Sequence, residues 1–366
     1  MKDDFDRDVY CLAGLPFDAV DMSNALSILQ DAVRNQTRCF LSTPNLNFLI
    51  ASQSDAEFRD SVIQSDLVVA DGMPVVWMAK LLRIPIRVRV AGSSLFEALR
   101  AQDTANPISV YFFGGPDGVA EAASNKMNLA KGGLVCLGYQ SPGYVSVEDM
   151  SAATKIDAIN ASNADFLVVS LGAKKGQAWI VRNLSSIKTP IISHLGAVVN
   201  FEANKLQRSP VWMQNMGLEW LWRIKEEPDL WKRYSQDGLA LFKLLFTTVV
   251  PHALWLVFNQ HRLEQTAKNT HVQLECNASI CRLIMPAVVL DPASPELRAQ
   301  MRQASLNKTD VTLDLTATEY LSPGFLGLLL MLKKHLAKNT LKLRVVGVQP
   351  KMNRMLKWNG WSGFIG

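Results

Sequence analysis

From residue 22 to residue 194, short apolar runs alternate with stretches in which apolar residues return every three or four positions. The runs at 39–42, 67–70, 110–113, 134–138, 166–171 and 190–194 predict strands. The stretches near 22–34, 46–52, 74–82, 93–101, 116–130, 148–161 and 175–186 predict helices. Short apolar strands alternating with helices predict an α/β fold, a parallel sheet with helices on both faces. In such folds ligands sit outside the carboxyl ends of the strands, so the residues after each run are the first candidates for chemistry.

The rhythm breaks at residue 201. Residues 201–236 interleave Trp212, Trp220, Trp222 and Trp231 with Arg208, Arg223, Lys225, Lys232 and Arg233. Two readings fit: an amphipathic helix packed on the core with its cations in water, or a membrane-interface segment beside anionic headgroups. Residues 238–258 follow, 21 residues with the single formal charge of Lys243. That length matches a bilayer, but Pro251 and His252 interrupt it. A helix lying in the interface is favoured over a buried docking helix and over a true span, and this run tips the preceding segment toward the interface. Residues 259–270 are polar and read as a linker. The remaining chain predicts a hairpin (272–274 with 281–285), helices at 295–304, 323–337 and 349–358, and strands at 311–315 and 341–346. The expected organisation is therefore a unit over 1–236, an apolar helix and linker over 237–270, and a small α/β domain over 271–366.

The strand ends carry polar residues of several kinds. After the first run come Thr43 and Asn45, which suit a helix N-cap and equally a sugar or nucleotide contact. After the second comes Asp71-Gly72, a common turn pair. A carboxylate near apolar walls is also a candidate general base, because burial disfavours its ionised form. Pattern alone leaves both readings open. Gly114 and Gly115 open a GGxxG loop before a helix, where backbone N–H groups can approach a phosphate. Gly172, Lys174, Lys175 and Gln177 head another helix. Cations there oppose the helix dipole, so they are either simply solvated or placed for an anion.

Composition narrows the classes. With 48% hydrophobic and 19% charged residues over 366 positions, the chain is a packed globular protein of two or three domains. Five cysteines without a CxxC pair or a Cys/His ligand spacing predict a reducing cytoplasm and no structural metal. MKDDFDRDVY does not read as a signal peptide. A net charge of +5 by itself fits an anionic small molecule, a membrane surface or nucleic acid about equally. No basic run interleaved with aromatics suggests a nucleic-acid groove.

The blocks TPNLNFL, ADGMPVVW, RVAGSSLF, YFFGGPDGVAEAA, GYQSPGY, VVSLGAKKGQAWI and HLGAVVNFEANKLQRSPVWMQNMGLEWLWRIKEEPDLWKRY, in that order, resemble the WecG/TagA/CpsF glycosyltransferase family. The resemblance implies a Rossmann-like core and a metal-independent, inverting hexosyltransferase without a cofactor. Such an enzyme moves N-acetylmannosamine, its uronic acid or glucose from a UDP-sugar to a polyprenyl-diphosphate-linked saccharide. It implies Asp71 as catalytic base with Thr43 and Asn45 beside it, and Arg89 on the diphosphate. Arg208, Arg223 and Arg233 would then be lipid or diphosphate contacts. The implied location is cytoplasmic, peripheral to the inner face of the cell membrane. Two departures stand out. The family's GxPKQE reads Gly172-Ala173-Lys174-Lys175-Gly176-Gln177 here, so the role of its Gln passes to Gln177 or Lys174. An Asp of the family is Asn200 here.

The stretch VTLDLTATEYLSPGFLGLLLMLKKHL, with LKLRVVGVQPKMNRMLKWNGW after it, resembles a STAS domain, the anti-sigma-factor antagonist fold. This implies a protein partner. Ser322 falls on that family's phosphorylatable serine, with Leu321 in place of the preceding Asp and Pro323 after it. Two rivals to a transferase remain. One is a regulatory scaffold with a lapsed core, suggested by the altered AKKGQ block. The other is a nucleotide-binding oxidoreductase, which lacks its GxGxxG fingerprint here.

Overall fold

The computed structural model describes residues 3–130, 132–267, 272–277, 280–290 and 294–362. A 3-10 turn at Asp4–Asp6 leads into an antiparallel hairpin, β1 (Val9–Leu12) and β2 (Leu15–Asp18). Its two-residue turn, Ala13-Gly14, holds both residues at positive φ, 50° and 84°, as the twist of a tight hairpin requires.

The helices and strands of the main sheet then alternate: α1 (Met22–Arg34), β3 (Cys39–Ser42), α2 (Leu46–Ser54), α3 (Ala56–Ile63), β4 (Leu67–Val68), α4 (Met73–Leu81), α5 (Gly92–Arg100), β5 (Ile108–Gly114), α6 (Val119–Leu129), β6 (Leu134–Gln140), α7 (Val147–Met150), α8 (Ala153–Ala161), β7 (Phe166–Ser170), α9 (Ala173–Asn183) and β8 (Ile191–His194). The six strands are parallel in the order β4-β3-β8-β7-β5-β6. Every residue of β3, β5 and β7 is buried, as expected of strands covered on both faces. The chain leaves β3 for β4 at one edge and then crosses to the other half of the sheet. The carboxyl ends of β3 and β8 therefore flank the point where the winding reverses, the usual place for a ligand crevice.

Beyond the sheet lie α10 (Val198–Glu202), α11 (Val211–Asn215) and α12 (Glu219–Glu226), then one rod from Leu230 to Ala267: α13 (Leu230–Leu244), a π-turn at Leu245–Val249 and α14 (Val250–Ala267). Leu241, Leu244, Leu245, Val249 and Ala253 pack against the cluster that holds α2 and α4, while Leu256 and Leu263 join the C-terminal core. The polar residues 259–267 are helix, which corrects the linker expectation. They form the solvent side of a helix whose seven-residue spacing of Leu256 and Leu263 keeps it anchored. Residues 268–270 of that expected linker lie outside the described residues. By length and composition alone this rod is long and apolar enough to cross a membrane, and 11% of its apolar window is buried.

The C-terminal unit has β9 (Gln273–Cys276), β10 (Cys281–Ile284), β12 (Val311–Asp314) and β14 (Leu343–Val346) in one sheet, ordered β14-β12-β10-β9. The short β11 (Val288–Val289) pairs with β13 (Tyr320–Leu321). Helices α15 (Pro295–Leu306), α16 (Pro323–Lys338) and α17 (Pro350–Trp358) complete it. The cysteine reading did not anticipate the Cys276–Cys281 disulfide, which follows from register, since the two residues are direct partners across the β9–β10 hairpin. The N-terminal 3-10 turn and hairpin share this unit's core: Phe5, Val9 and Cys11 lie with Phe325, Leu329 and Trp361. Gly327 of α16 lets the helix meet β1, because a Cβ there would stand 2.1 Å from the Val9 carbonyl oxygen.

Candidate active site

Two strand ends are tied together first. The chain runs from β4 through Val69 and Ala70 to Asp71, whose backbone N–H donates to the Pro44 carbonyl, 3.0 Å away, in the loop after β3. Gly72 then adopts φ 137°, a conformation that side chains disfavour, and α4 turns away from the carboxylate. On the β3 side Asn45 caps α2, accepting from the Phe48 N–H at 3.2 Å, and so fulfils the cap reading.

Arg89 and the first residue of α5 hold the Asp71 carboxylate. Arg89 Nε and Nη2 donate to Oδ1 at 3.4 and 3.3 Å, and the Gly92 N–H donates to Oδ2 at 3.4 Å. A Cβ on Gly92 would stand 2.4 Å from Leu195 Cδ2 and 3.1 Å from Thr43 Cγ2. This glycine therefore lets the α5 N-terminus, with its partial positive charge, approach both Thr43 and Asp71. Burial raises the proton affinity of Asp71. The Arg89 charge and the Gly92 hydrogen bond oppose this and Glu219 adds to it, leaving the carboxyl above its ordinary range.

Glu219, the first residue of α12, accepts from Arg89 Nη2 at 2.5 Å. Sequence reasoning missed it. The signal was present, since it is the single acidic residue in the stretch MGLEWLWR, but that stretch was read as membrane-facing. His194, at the carboxyl end of β8, was missed too. Its Nε2 lies 2.6 Å from the Leu171 carbonyl oxygen, which can only accept, so Nε2 carries the proton. Burial lowers its pKa. The ring occupies the space a side chain at 176 would need, because a Cβ on Gly176 would stand 2.3 Å from His194 Cδ2.

The other expected residues are dispersed. The Gly115 N–H is already taken by the Ser170 carbonyl at 2.8 Å, and a Cβ on Gly114 would lie 2.5 Å from the same oxygen. These glycines thus bring β5 close to β7. Gly172 is open on its Cβ side. Lys174 pairs with Asp55 at 2.8 Å and Lys175 donates to the Val145 carbonyl at 3.0 Å, so an internal carboxylate and a carbonyl answer the two cations. Gln177 is buried and donates to Ser42 Oγ at 2.8 Å, which places it beneath the cleft. Arg208 binds the first turns of α5 through Ser94 Oγ at 3.0 Å and through Glu97. Arg223 pairs with Glu227 at 2.7 Å. Arg233 is exposed, with its guanidinium 5.1 Å from the Tyr234 ring centroid. Ser322 is a buried N-cap of α16, accepting from the Phe325 N–H at 3.2 Å. A cavity of about 410 Å³ lies beside α5, lined by Ser93, Glu97, Phe201, Glu202, Gln207 and Arg208.

Comparison with known proteins covers both halves of the chain. A model of the glycosyl transferase WecG/TagA/CpsF family matches residues 10–253, and one described as "Mlab, STAS domain" matches residues 288–366. The chain is 26% identical over 193 residues to an N-acetylglucosaminyldiphosphoundecaprenol N-acetyl-β-D-mannosaminyltransferase of Bacillus subtilis, covering 53% of this chain and 73% of that one. It is 24% identical over 252 residues to the Bacillus spizizenii protein of the same name, covering 68% and 96%. The Staphylococcus aureus (strain MRSA252) counterpart is 22% identical over 227 residues, covering 62% and 86%.

Proposed function

The chain belongs to the WecG/TagA/CpsF glycosyltransferase family and is a glycosyltransferase; on that premise we propose that it transfers a hexosamine-type sugar from a UDP-sugar to a polyprenyl-diphosphate-linked saccharide. The acceptor class follows the names of its relatives. The observation that carries the reading is the meeting of Asp71, Thr43, Arg89 and the α5 N-terminus at adjacent strand ends. In the mechanism, Asp71 takes the proton of the acceptor hydroxyl as its oxygen attacks the anomeric carbon. The bond from that carbon to the UDP oxygen breaks on the opposite face, so the configuration inverts. Arg89 and the α5 N-terminus receive the charge that develops on the diphosphate. Thr43 and Asn45 stand beside Asp71, and Asn45 also shapes the loop through its cap. Nothing in the site favours a lapsed core.

The proposed location is the cytoplasmic membrane surface. Supporting it, Trp212, Trp220, Trp231, Phe242, Phe246 and Phe258 are all exposed, next to Lys232, Arg233 and Lys243. Interfacial aromatics beside cations suit anionic headgroups. The transferase unit is assigned to 1–236 and the STAS-like module, a binding module for a protein partner, to 271–366. The test is incubation with a panel of UDP-sugars and a short-chain polyprenyl-diphosphate acceptor. Transfer is expected from one donor class and about 100-fold or greater loss in Asp71→Asn. No transfer from any donor, or equal transfer by the variant, refutes the mechanism.

A further inference from the structure

Arg89 stands between two carboxylates. Its Nε and Nη2 face Asp71 at 3.4 and 3.3 Å and its Nη2 meets Glu219 at 2.5 Å. All three side chains are largely shielded, with 17% of Arg89, 25% of Asp71 and 19% of Glu219 exposed. Among the described residues, Arg89 Nη1 takes no partner. Nε and Nη2 are thus held by the two carboxylates, and the N–H groups of Nη1 remain for a ligand. A planar guanidinium held this way presents those N–H groups in a set direction, which suits a charge-assisted hydrogen bond to a phosphate oxygen.

The element that supplies Glu219 adds a second point. It begins α12, and its neighbours Met216, Trp220 and Leu221 are exposed. The same stretch is fastened to α5 by Arg208, through Ser93, Ser94 and Glu97. Glu219 therefore brings the segment that carries the exposed aromatic face to the reaction centre.

We propose that Glu219 is a positioning residue of the transfer reaction: it orients Arg89 toward the leaving diphosphate, keeps that guanidinium from collapsing onto Asp71, and so links the seating of the α11–α12 segment to the catalytic carboxylate. This rests on the reading of Asp71 as base and Arg89 as diphosphate ligand. The charged groups facing Asp71 are Arg89 from the segment before α5, Glu219 from α12 and, further away, Arg208 from the segment before α11. With Glu219 neutralised, Arg89 is free to turn its charge wholly to Asp71 and a like charge is gone. Both changes favour ionised Asp71 and weaken it as a base.

The experiment is a double-mutant cycle of Glu219→Gln and Arg89→Lys on the full chain, with kcat/KM followed against pH. Glu219→Gln is expected to lose about 10- to 100-fold in kcat/KM, the scale of one charged hydrogen bond, with the acid limb of the profile moved to lower pH. The double variant is expected to lose no more than Arg89→Lys alone. Additive losses, or an acid limb that does not move, overturn the proposal, because a merely structural Glu219 gives that result. Should Glu219→Gln fail to fold, Glu219→Asp keeps the charge but withdraws it from Arg89 and carries the same cycle. Asp71→Asn run alongside separates the two readings. If wild type transfers sugar and Asp71→Asn does not, a null result at Glu219 removes this inference alone. If Asp71→Asn transfers normally, the assignment of the base fails first.

Discussion

Asp71 shows how a site residue costs the fold something. Its carboxyl is held above the ordinary range chiefly by burial, so the folded state binds its proton more tightly than the unfolded chain does. Its contribution to stability is complete below the unfolded carboxylate pKa and is lost as pH rises through the higher folded value. At neutral pH the ionised carboxylate is therefore a liability. Asp71→Asn is expected to abolish transfer yet raise stability at pH 7 by about 1 kcal/mol, with the gain shrinking as pH falls toward the carboxylate range. Thermal melts of both proteins at pH 7 and pH 4 check this, and a destabilised variant at pH 7 would contradict it. The acid limb of the wild-type profile should likewise lie above the ordinary carboxylate range. How much of this was legible varies by residue. Thr43 and Asp71 could be singled out because strand ends are marked by abrupt apolar-to-polar changes, whereas Arg89 entered through the family resemblance alone. Glu219 stood out as a lone acid in its stretch, but its partner could not be read, because the role depends on a segment more than a hundred positions away folding back onto Arg89. Gln177 misled because an amide in a helix's first turn looks alike from sequence whether it faces the cleft or, as here, Ser42 in the interior.

At the scale of elements, buried parallel strands announce themselves and mixed surfaces do not. The apolar runs located the six sheet strands within a few residues, since strands covered on both faces are apolar throughout. The β1–β2 hairpin went unread because its turn is Ala-Gly rather than Asn-Gly and its strands are four residues each. The end of the long rod was also misplaced. Past residue 258 only Leu263 is buried, and a stripe one residue wide resembles a linker. The rod's other side is apolar and open: Leu239 (74% exposed), Phe242 (62%), Phe246 (59%), Leu254 (53%) and Phe258 (83%). Burying a phenylalanine contributes roughly 1.5–3 kcal/mol. Phe242→Glu with Phe246→Glu should therefore cut binding to anionic liposomes at least about 100-fold and leave the melting temperature nearly unchanged, as flotation and calorimetry would show. Unaltered flotation would move the anchor elsewhere. On the inner side His252 is buried with neither ring nitrogen bonded, stacked 5.6 Å from the Trp358 ring. Burial takes its pKa down to about 4. A base with a lowered folded pKa stabilises the fold above its unfolded pKa and loses that contribution as pH falls. His252→Phe is expected to remove about 2 kcal/mol of the stability lost between pH 7 and pH 5. Urea titrations at the two values measure it, and an equal acid loss in the variant would count against it.

Across the whole molecule, the sheet and the C-terminal unit meet over charge that neither could bury alone. Lys334 of α16, 2% exposed, donates to Asp66 at 2.8 Å, to Asp4 at 3.1 Å and to the Ser65 carbonyl at 3.0 Å. Arg7 joins Asp4 at 2.6 Å to Asp18 at 2.8 Å, and His335 lies 3.0 Å from Asp4. The carboxylates do not end there. Asp66 accepts from the Phe40 N–H of β3 at 3.1 Å and Asp18 from the Val68 N–H of β4 at 2.7 Å, three residues before Thr43 and Asp71 respectively. Burial alone would raise the pKa of Asp4, but the His335 hydrogen bond and the charges of Lys334 and Arg7 overcome it and hold Asp4 well below the carboxylate range. Its stabilising contribution is thus present above the unfolded carboxylate pKa and is lost as pH falls. Removing Lys334 takes the close cation from buried Asp66 and one of three partners from Asp4, and breaking such a buried pair costs about 3–5 kcal/mol. Lys334→Met should lower the urea midpoint accordingly at pH 7 and flatten the acid dependence. With the charged seam cut, one unfolding transition should become two, because Trp179 reports on the parallel sheet and Trp361 on the C-terminal core. Tryptophan fluorescence and far-ultraviolet dichroism followed through the same titration distinguish the outcomes. A single transition at the wild-type midpoint would mean that apolar contact between β1 and α16 holds the two units together without the charges.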